Sequence, residues 1–144
     1  MSRHCTTRWL GLLSLAATGC FHGHVEGSFT ADSGPGQPWQ LAPDRCLSGG
    51  HSGYIGADMY RAQPGDDTEL VVVTDGAGLR VLARVPNTGQ MVVLTPGDCA
   101  TFEAHVGYNG VTVNDIPAVA GSVHIDCTRP EIGHVQGQAT FTCY

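Results

Sequence analysis

Short apolar and β-branched runs, some continuous and some alternating with polar residues, recur between turn sequences along the chain beyond residue 38, which is the mark of β-strands. Glu69-Leu70-Val71-Val72-Val73-Thr74 is rich in β-branched residues and ends at the turn Asp75-Gly76-Ala77-Gly78. Leu79 to Val85 follows, with Leu79, Val81 and Val85 on one face and Arg80 and Arg84 on the other. Pro86-Asn87-Thr88-Gly89 turns the chain again and Gln90 to Thr95 answers, so the middle predicts a three-stranded antiparallel meander.

The same pattern continues on both sides. Tyr54 to Tyr60 reads as a strand and Gln63-Pro64-Gly65-Asp66-Asp67 as a turn. Beyond Pro96-Gly97-Asp98, Cys99 to Val106 extends, and Asn109-Gly110 between Tyr108 and Val111 is the strongest hairpin signal, with Val111-Thr112-Val113 returning. Gly121 to Cys127 puts Val123, Ile125 and Cys127 on one face; Thr128 to Gly133 turns; Val135 to Cys143 closes the series. Val25 to Ala31 also alternates, and reads either as a first strand or as part of a tether running through Ser33-Gly34-Pro35-Gly36-Gln37-Pro38. Val25-Glu26-Gly27-Ser28, Val119-Ala120-Gly121-Ser122 and Val135-Gln136-Gly137-Gln138 share a Val-x-Gly-x pattern, expected to mark a bulge or a packing device. No helical period with caps runs through residues 20–144. The expectation is an all-β fold: one antiparallel β-sandwich or barrel-like domain of about eight or nine short strands, after an N-terminal signal helix.

The first twenty residues obey different rules. Met1 to Arg8 carries Arg3 and Arg8 and no acid, and Trp9 to Ala17 is an apolar run broken only by Gly11 and Ser14. At ~1.5 Å per residue that run makes a helix of roughly 14 Å, about half of a ~30 Å hydrocarbon core, so it suits a secretion signal and not a membrane span. It ends in Ala17-Thr18-Gly19-Cys20. This segment resembles the lipobox of bacterial lipoproteins. The resemblance implies diacylation of Cys20, cleavage before it by signal peptidase II, and a durable membrane anchor through acyl chains such as palmitate. Phe21 after the cysteine implies, within the same family, export to the outer membrane. The competing reading is ordinary secretion with cleavage after Ala16. Cysteine count favours acylation: Cys5 leaves with the signal, and with Cys20 acylated an even set remains, Cys46, Cys99, Cys127 and Cys143. The division expected is a signal peptide over 1–19, a lipidated N-terminus and tether over 20–38 with a first strand as the alternative within it, and the β-domain over 39–144.

Composition narrows the partners. Residues 20–144 hold five arginines, no lysine and thirteen acids, a formal charge of −8. That excludes phosphate and nucleic-acid binding by a basic surface, and it excludes electrostatic adhesion to an anionic bilayer, leaving the acyl chains to hold the membrane. Four cysteines in an oxidising compartment predict two disulfides; a zinc site is the competitor, but no pair has C-x2-C spacing. If 121–127 and 135–143 form a hairpin, Cys127 faces about residue 135 and Cys143 about residue 119. The two then lie roughly 26 Å apart, beyond bridging reach, which argues against Cys127–Cys143 and equally against Cys46–Cys99. If those strands are not neighbours the restriction lapses, and the connectivity stays open.

Chemistry-bearing residues are few. His22-Gly23-His24 is a potential chelate, though two polar residues in a linker is the plainer reading. His51, His105 and His124 would form a site only if the fold brought them together. The Ser48 to Gly53 loop around His51 is no nucleophile elbow and has no acid to complete a triad. Asp66, Asp67 and Glu69 lack the calcium-loop spacing. Trp39, Tyr54, Tyr60 and Tyr108 suit either packing or a sugar-binding surface. No catalytic residue, metal ligand or cofactor is nominated. The chain is expected to be a non-enzymatic binding or structural domain at the cell envelope, with an envelope protein or glycan as partner. A small-ligand, carbohydrate or metal-binding module is the alternative and an enzyme comes third.

Overall fold

The computed structural model describes residues 23–32 and 37–144. Cys20, the signal segment and Ser33 to Gly36 lie outside the described residues. Ten strands follow in order: β1 His24–Asp32, β2 Trp39–Leu41, β3 Arg45–Ser48, β4 Ile55–Tyr60, β5 Glu69–Asp75, β6 Gly78–Arg84, β7 Met91–Leu94, β8 Cys99–Val113, β9 Ile116–Arg129 and β10 Gly133–Cys143. No α-helix occurs among them; two 3-10 turns, Gly49–Ser52 and Pro96–Asp98, complete the elements. The strands make two antiparallel five-stranded sheets, ordered β2-β1-β10-β9-β8 (sheet A) and β3-β4-β5-β6-β7 (sheet B), in a sandwich that does not close into a barrel.

Alternation decides which side of each strand is inside. In sheet A, Phe29 and Ala31, Val135, Ala139, Phe141 and Cys143, and Val119, Val123, Ile125 and Cys127 are all buried. In sheet B, Met59, Leu70, Val72, Val81, Ala83, Val92 and Leu94 face them. Removing side chains such as Phe29, Leu70 and Ile125 from water contributes about 2 kcal/mol each.

The predicted meander is β5-β6-β7. The alternating segment after Cys20 is a strand, not a tether: β1 lies inside sheet A, paired to β10 along its whole length and to β2 by Phe29↔Leu41. The folded body therefore includes residues ahead of 39. Ten strands form against the eight or nine expected, because Trp39–Leu41 and Arg45–Ser48 are short separate strands that carry the chain from sheet A to sheet B.

The Asn109-Gly110 hairpin does not form. β8 runs on to Val113, and the register slips between Tyr108↔Val119 and Thr112↔Pro117, so Asn109 to Val111 make a bulge. Asn109 Oδ1 accepts from the Val111 amide at 2.9 Å and Gly110 sits at φ 84°, local geometry that serves a bulge as well as a turn. The chain reverses at Asn114-Asp115, with φ 50° and 65°, the two left-handed positions of a primed turn.

The three Val-x-Gly-x glycines are a packing device. All point inward from neighbouring strands of sheet A, where the paired strand leaves no room for a side chain. A Cβ on Gly137 would lie 2.2 Å from the Ser28 carbonyl and 2.7 Å from Phe29 Cδ1; one on Gly121 would lie 2.0 Å from the His105 carbonyl and 2.8 Å from Phe141 Cζ. Phe29 and Phe141 are the direct cross-strand partners of these two glycines, so each aromatic occupies the space its glycine leaves.

Cys127 pairs with Val135 and Cys143 with Val119, the spacing that rules out a bridge between them. The bridges are Cys46–Cys143, joining β3 of sheet B to β10 of sheet A, and Cys99–Cys127, across neighbouring strands β8 and β9. One staples the two layers at the end where β1 begins; the other holds the opposite part of sheet A.

Candidate functional site

The residues singled out in the sequence do not converge on one centre. His105 and His124 share the outer face of sheet A, where the cross-strand rows are Glu103–His124–Gln138–Ser28 and His105–Ser122–Thr140–Glu26. His124 Nδ1 is 3.5 Å from Glu103 Oε2 on the surface. His51 lies elsewhere, in the Gly49–Ser52 turn, with Nε2 3.3 Å from the Tyr144 carbonyl. His24 faces Glu26 at 3.1 Å, both exposed, and His22 is outside the described residues. Among the described residues no group of three or more His, Cys, Asp and Glu side chains has the geometry to hold a metal. Ser48, beside His51, is buried; its hydroxyl donates to the Pro117 carbonyl at 2.6 Å and accepts from the Gly50 amide at 3.1 Å, a structural use.

The aromatics also separate. Trp39 is at the β2 edge, beside a cleft of about 30 Å³, room for one water. Tyr108 is at the β8–β9 end, whereas Tyr54 and Tyr60 lie at the two ends of β4.

The concavity with the most charged lining is on the outer face of sheet B, where β3, β4, β5 and β6 bring Leu47, Asp58, Tyr60, Glu69 and Arg84 beside the turn Asp66-Asp67-Thr68. It is an open groove of about 390 Å³. Its placement follows from register: Leu47↔Asp58↔Val71↔Leu82↔Val93 is one cross-strand row, and Arg45↔Tyr60↔Glu69 is the next. The first row is apolar except for Asp58, and its ends, Leu47 and Val93, are exposed by 41% and 37%.

Every acid of the groove is engaged. The Tyr54 hydroxyl donates to Asp58 Oδ1. Arg84 binds Glu69 Oε2 through Nε at 2.8 Å and also through Nη2. Asp66 Oδ1 accepts from the Thr68 amide at 3.0 Å and from the Thr68 hydroxyl, and Asp67 Oδ2 accepts from the Asn87 amide at 2.7 Å. Burial raises the Asp58 carboxyl above the usual range, opposed by the Tyr54 hydrogen bond and by Arg84, and reinforced by the charge of Glu69. The Tyr54 hydroxyl is pushed far above its ordinary value, first by burial and then by donating to Asp58. The Thr68 hydroxyl and amide hold Asp66 below the carboxylate range. Four carboxylates stand against Arg84 in the lining and against Arg61, whose Nη1 lies 3.6 Å from Asp66 Oδ2 at its border, so the groove keeps a net negative charge and the hydrogen bonds fix where it sits. The arrangement suits holding a cation that carries an apolar stem.

Sequence reading named Asp66, Asp67 and Glu69 as acids, Tyr54 and Tyr60 as aromatics and Arg84 as one face of a strand, but neither the Tyr54–Asp58 nor the Arg84–Glu69 pairing. The signals were there. Tyr54 directly precedes β4, four residues before Asp58, and a hairpin turning at Asp75–Gly78 sets Glu69 opposite Arg84.

The outer face of sheet A is the contrast. Its grooves, of about 390 and 370 Å³, mix Ser, Thr, Gln, His, Glu and Asp with Val123, Ala139, Ile125 and two glycines, and hold no tyrosine, arginine or turn of consecutive acids. Set beside protein-family models, curated proteins and solved structures, the chain matches none.

Proposed function

We propose that this chain is an acyl-anchored protein of the bacterial cell envelope, tethered through Cys20, whose β-sandwich is a non-enzymatic binding domain. The disulfides argue for a non-cytoplasmic, oxidising compartment. The lipobox-like segment supports the anchor, and Phe21 supports the outer membrane as the destination. The observation that carries the binding reading is the acidic groove on sheet B. It is open, its carboxylates are already committed to fixed hydrogen bonds, and it lies along an apolar row with exposed ends. Committed carboxylates make a shaped negative surface, whereas proton transfer calls for a group poised to gain or lose its proton. The partner chemistry this favours is a protein segment of the envelope that alternates arginine or lysine with aliphatic side chains.

The test is an NMR titration of the isotope-labelled protein with a short peptide alternating leucine and arginine. Shifts confined to Leu47, Asp58, Tyr60 and Glu69, weakened by salt and by Asp67→Lys, are expected, and Leu47→Glu removes the apolar contribution. Shifts on the Thr- and Gln-rich face of sheet A, or none at millimolar peptide, would refute the groove as the binding surface.

A further inference from the structure

Each sheet has two edges, and an edge strand presents a row of unpaired backbone groups unless something blunts it. Three of the four edges are blunted. β2 is three residues long and lies between Pro38 and Pro43. Along β3 the Ser48 amide donates to the Tyr144 carbonyl at 3.2 Å, and a Cβ on Gly23 would lie 2.7 Å from the Cys46 carbonyl, so the ends of β1 and β10 cover that edge. β8 carries Glu103 and His105 and is broken by two register shifts. β7, Met91–Leu94, has no charge, no proline and no bulge. The ladder to β6 shows which of its groups are free. The Val85 amide donates to the Gln90 carbonyl at 2.8 Å, in the same register as Arg84↔Met91 and Ala83↔Val92. Antiparallel pairs alternate between bonded and non-bonded, so Val92 and Leu94 bond to β6, whereas Met91 and Val93 turn their N–H and C=O groups outward. The series stops on both sides: Gly89 is in the turn at φ 71°, and the Thr95 amide is taken by Asp98 Oδ2 at 2.9 Å.

We infer that β7 pairs antiparallel with β7 of a second copy of this chain, about a two-fold axis at Val92, and so joins the two B sheets into one sheet of ten strands. The free groups are symmetric about Val92. The pairing therefore sets Met91 of each copy opposite Val93 of the other, forms four backbone hydrogen bonds and leaves none of these groups over. On the outer face, Val93, exposed by 37%, comes to lie beside the half-buried Met91 of the other copy, and the contact occurs twice. Charge points to the same edge. Residues 20–144 carry a formal −8, so two copies repel over most of their surface, whereas no carboxylate stands directly opposite another along a β7 pair. Two four-residue edges bury less than the ~1,200 Å² of a standard interface, which makes this a weak and reversible dimer. The acidic groove lies towards β3, at the other end of the row that Val93 closes, and stays open in the dimer. Nothing in the pairing depends on Cys20.

The test uses the purified full chain with a nitroxide on Gln90→Cys, an exposed position two residues from the axis. Bridged cysteines do not take the label, and wild type treated alike gives the background. The pairing places the two residue-90 backbones about 14 Å apart, so frozen spectra of concentrated protein should show dipolar broadening. The broadening should disappear when an excess of unlabelled wild type is added. It should be absent for a label at Gln63→Cys, in the exposed loop between β4 and β5. Val93→Lys and Met91→Pro, each made in the Gln90→Cys chain, should abolish it: the lysine puts a charge on the edge, and the proline removes an amide that makes no bond to β6. Thermal melts identify which of the two stays folded, and loss of broadening in a folded variant is the expected result. Broadening that survives both substitutions, or that is equal at Gln63→Cys, would overturn pairing through β7. So would the absence of broadening at every concentration, which would leave the edge to a strand of another protein.

Discussion

Deleting the two disulfides separately should weaken the fold unequally. Cys46–Cys143 closes a loop 97 residues long and Cys99–Cys127 one of 28. Loop-closure entropy of the unfolded chain then gives about 4.7 and about 3.6 kcal/mol. The loops are nested, so with Cys99–Cys127 intact the outer loop shortens to about 70 residues and its contribution to about 4.4 kcal/mol. Cys99 is also the least buried of the four, which favours the same order. Against the ~5–15 kcal/mol of a typical domain, losing either bridge is serious and losing the outer one approaches unfolding. Urea titrations of Cys46→Ala/Cys143→Ala and Cys99→Ala/Cys127→Ala, followed by Trp39 fluorescence, read the difference. At a slope of about 2 kcal/mol per molar, the outer pair should lower the midpoint by about 2 M, and the slope itself should rise as the unlinked chain exposes more surface. If removing Cys99–Cys127 is as damaging as removing Cys46–Cys143, loop closure is not what these bridges contribute.

Other outcomes follow from single residues. Gly137→Ala, at φ 153° with a Cβ 2.2 Å from the Ser28 carbonyl, should lose about 3 kcal/mol or more in thermal melts, whereas Gly76→Ala, in open space, should change stability by less than about 1 kcal/mol; equal effects would show that the β1–β10 contact tolerates a side chain. His134 is bonded to Asp126 at 2.8 Å and lies 3.4 Å from Asp32, and the Asp126 bond raises its pKa above the ordinary value. Its contribution is therefore complete below the unfolded pKa of about 6.5 and is lost as pH rises through the folded one. The melting difference between wild type and His134→Gln should be largest below about pH 6.5 and shrink as pH rises through the folded pKa; a difference growing with pH would refute the pairing. Asp98 has the opposite sign. The Thr95 amide, at 2.9 Å, and the Thr95 hydroxyl, at 2.8 Å, depress its carboxyl, with Arg129 assisting. Asp98→Asn should remove about 1 kcal/mol at neutral pH, and that difference should fade as acid takes the wild type through its folded pKa, below about 3.9; a difference that persists unchanged there would refute the assignment.

How much of this was legible in the sequence divides by range. Short apolar and β-branched runs located the strands, and the Asp75–Gly78 and Pro86–Gly89 turns defined β5 to β7, because those signals are local. A β9–β10 hairpin was readable as one possibility, and on that condition alone the sequence argued against Cys127–Cys143; only the observed pairing of Cys127 with Val135 and of Cys143 with Val119 removes the condition. Asn109-Gly110 misled because a glycine at positive φ serves a bulge as readily as a turn, and Asn114-Asp115 is a less familiar pair for the same two left-handed positions. The pairing of Cys46 with Cys143 depends on β3 and β10 meeting across two sheets, and alternation says which face is buried without saying what faces it. The groove follows the same rule. Its acids were visible singly, but Asp58 beneath Tyr54 and Arg84 beside Glu69 require four strands in register.

Intact mass of the membrane-extracted protein, taken before and after reduction, tests the anchored, doubly bridged chain most directly. The account predicts residues 20–144 carrying two or three acyl chains, four hydrogens lighter before reduction than after it, two for each bridge. An unmodified, water-soluble chain beginning at Ala17 would contradict it.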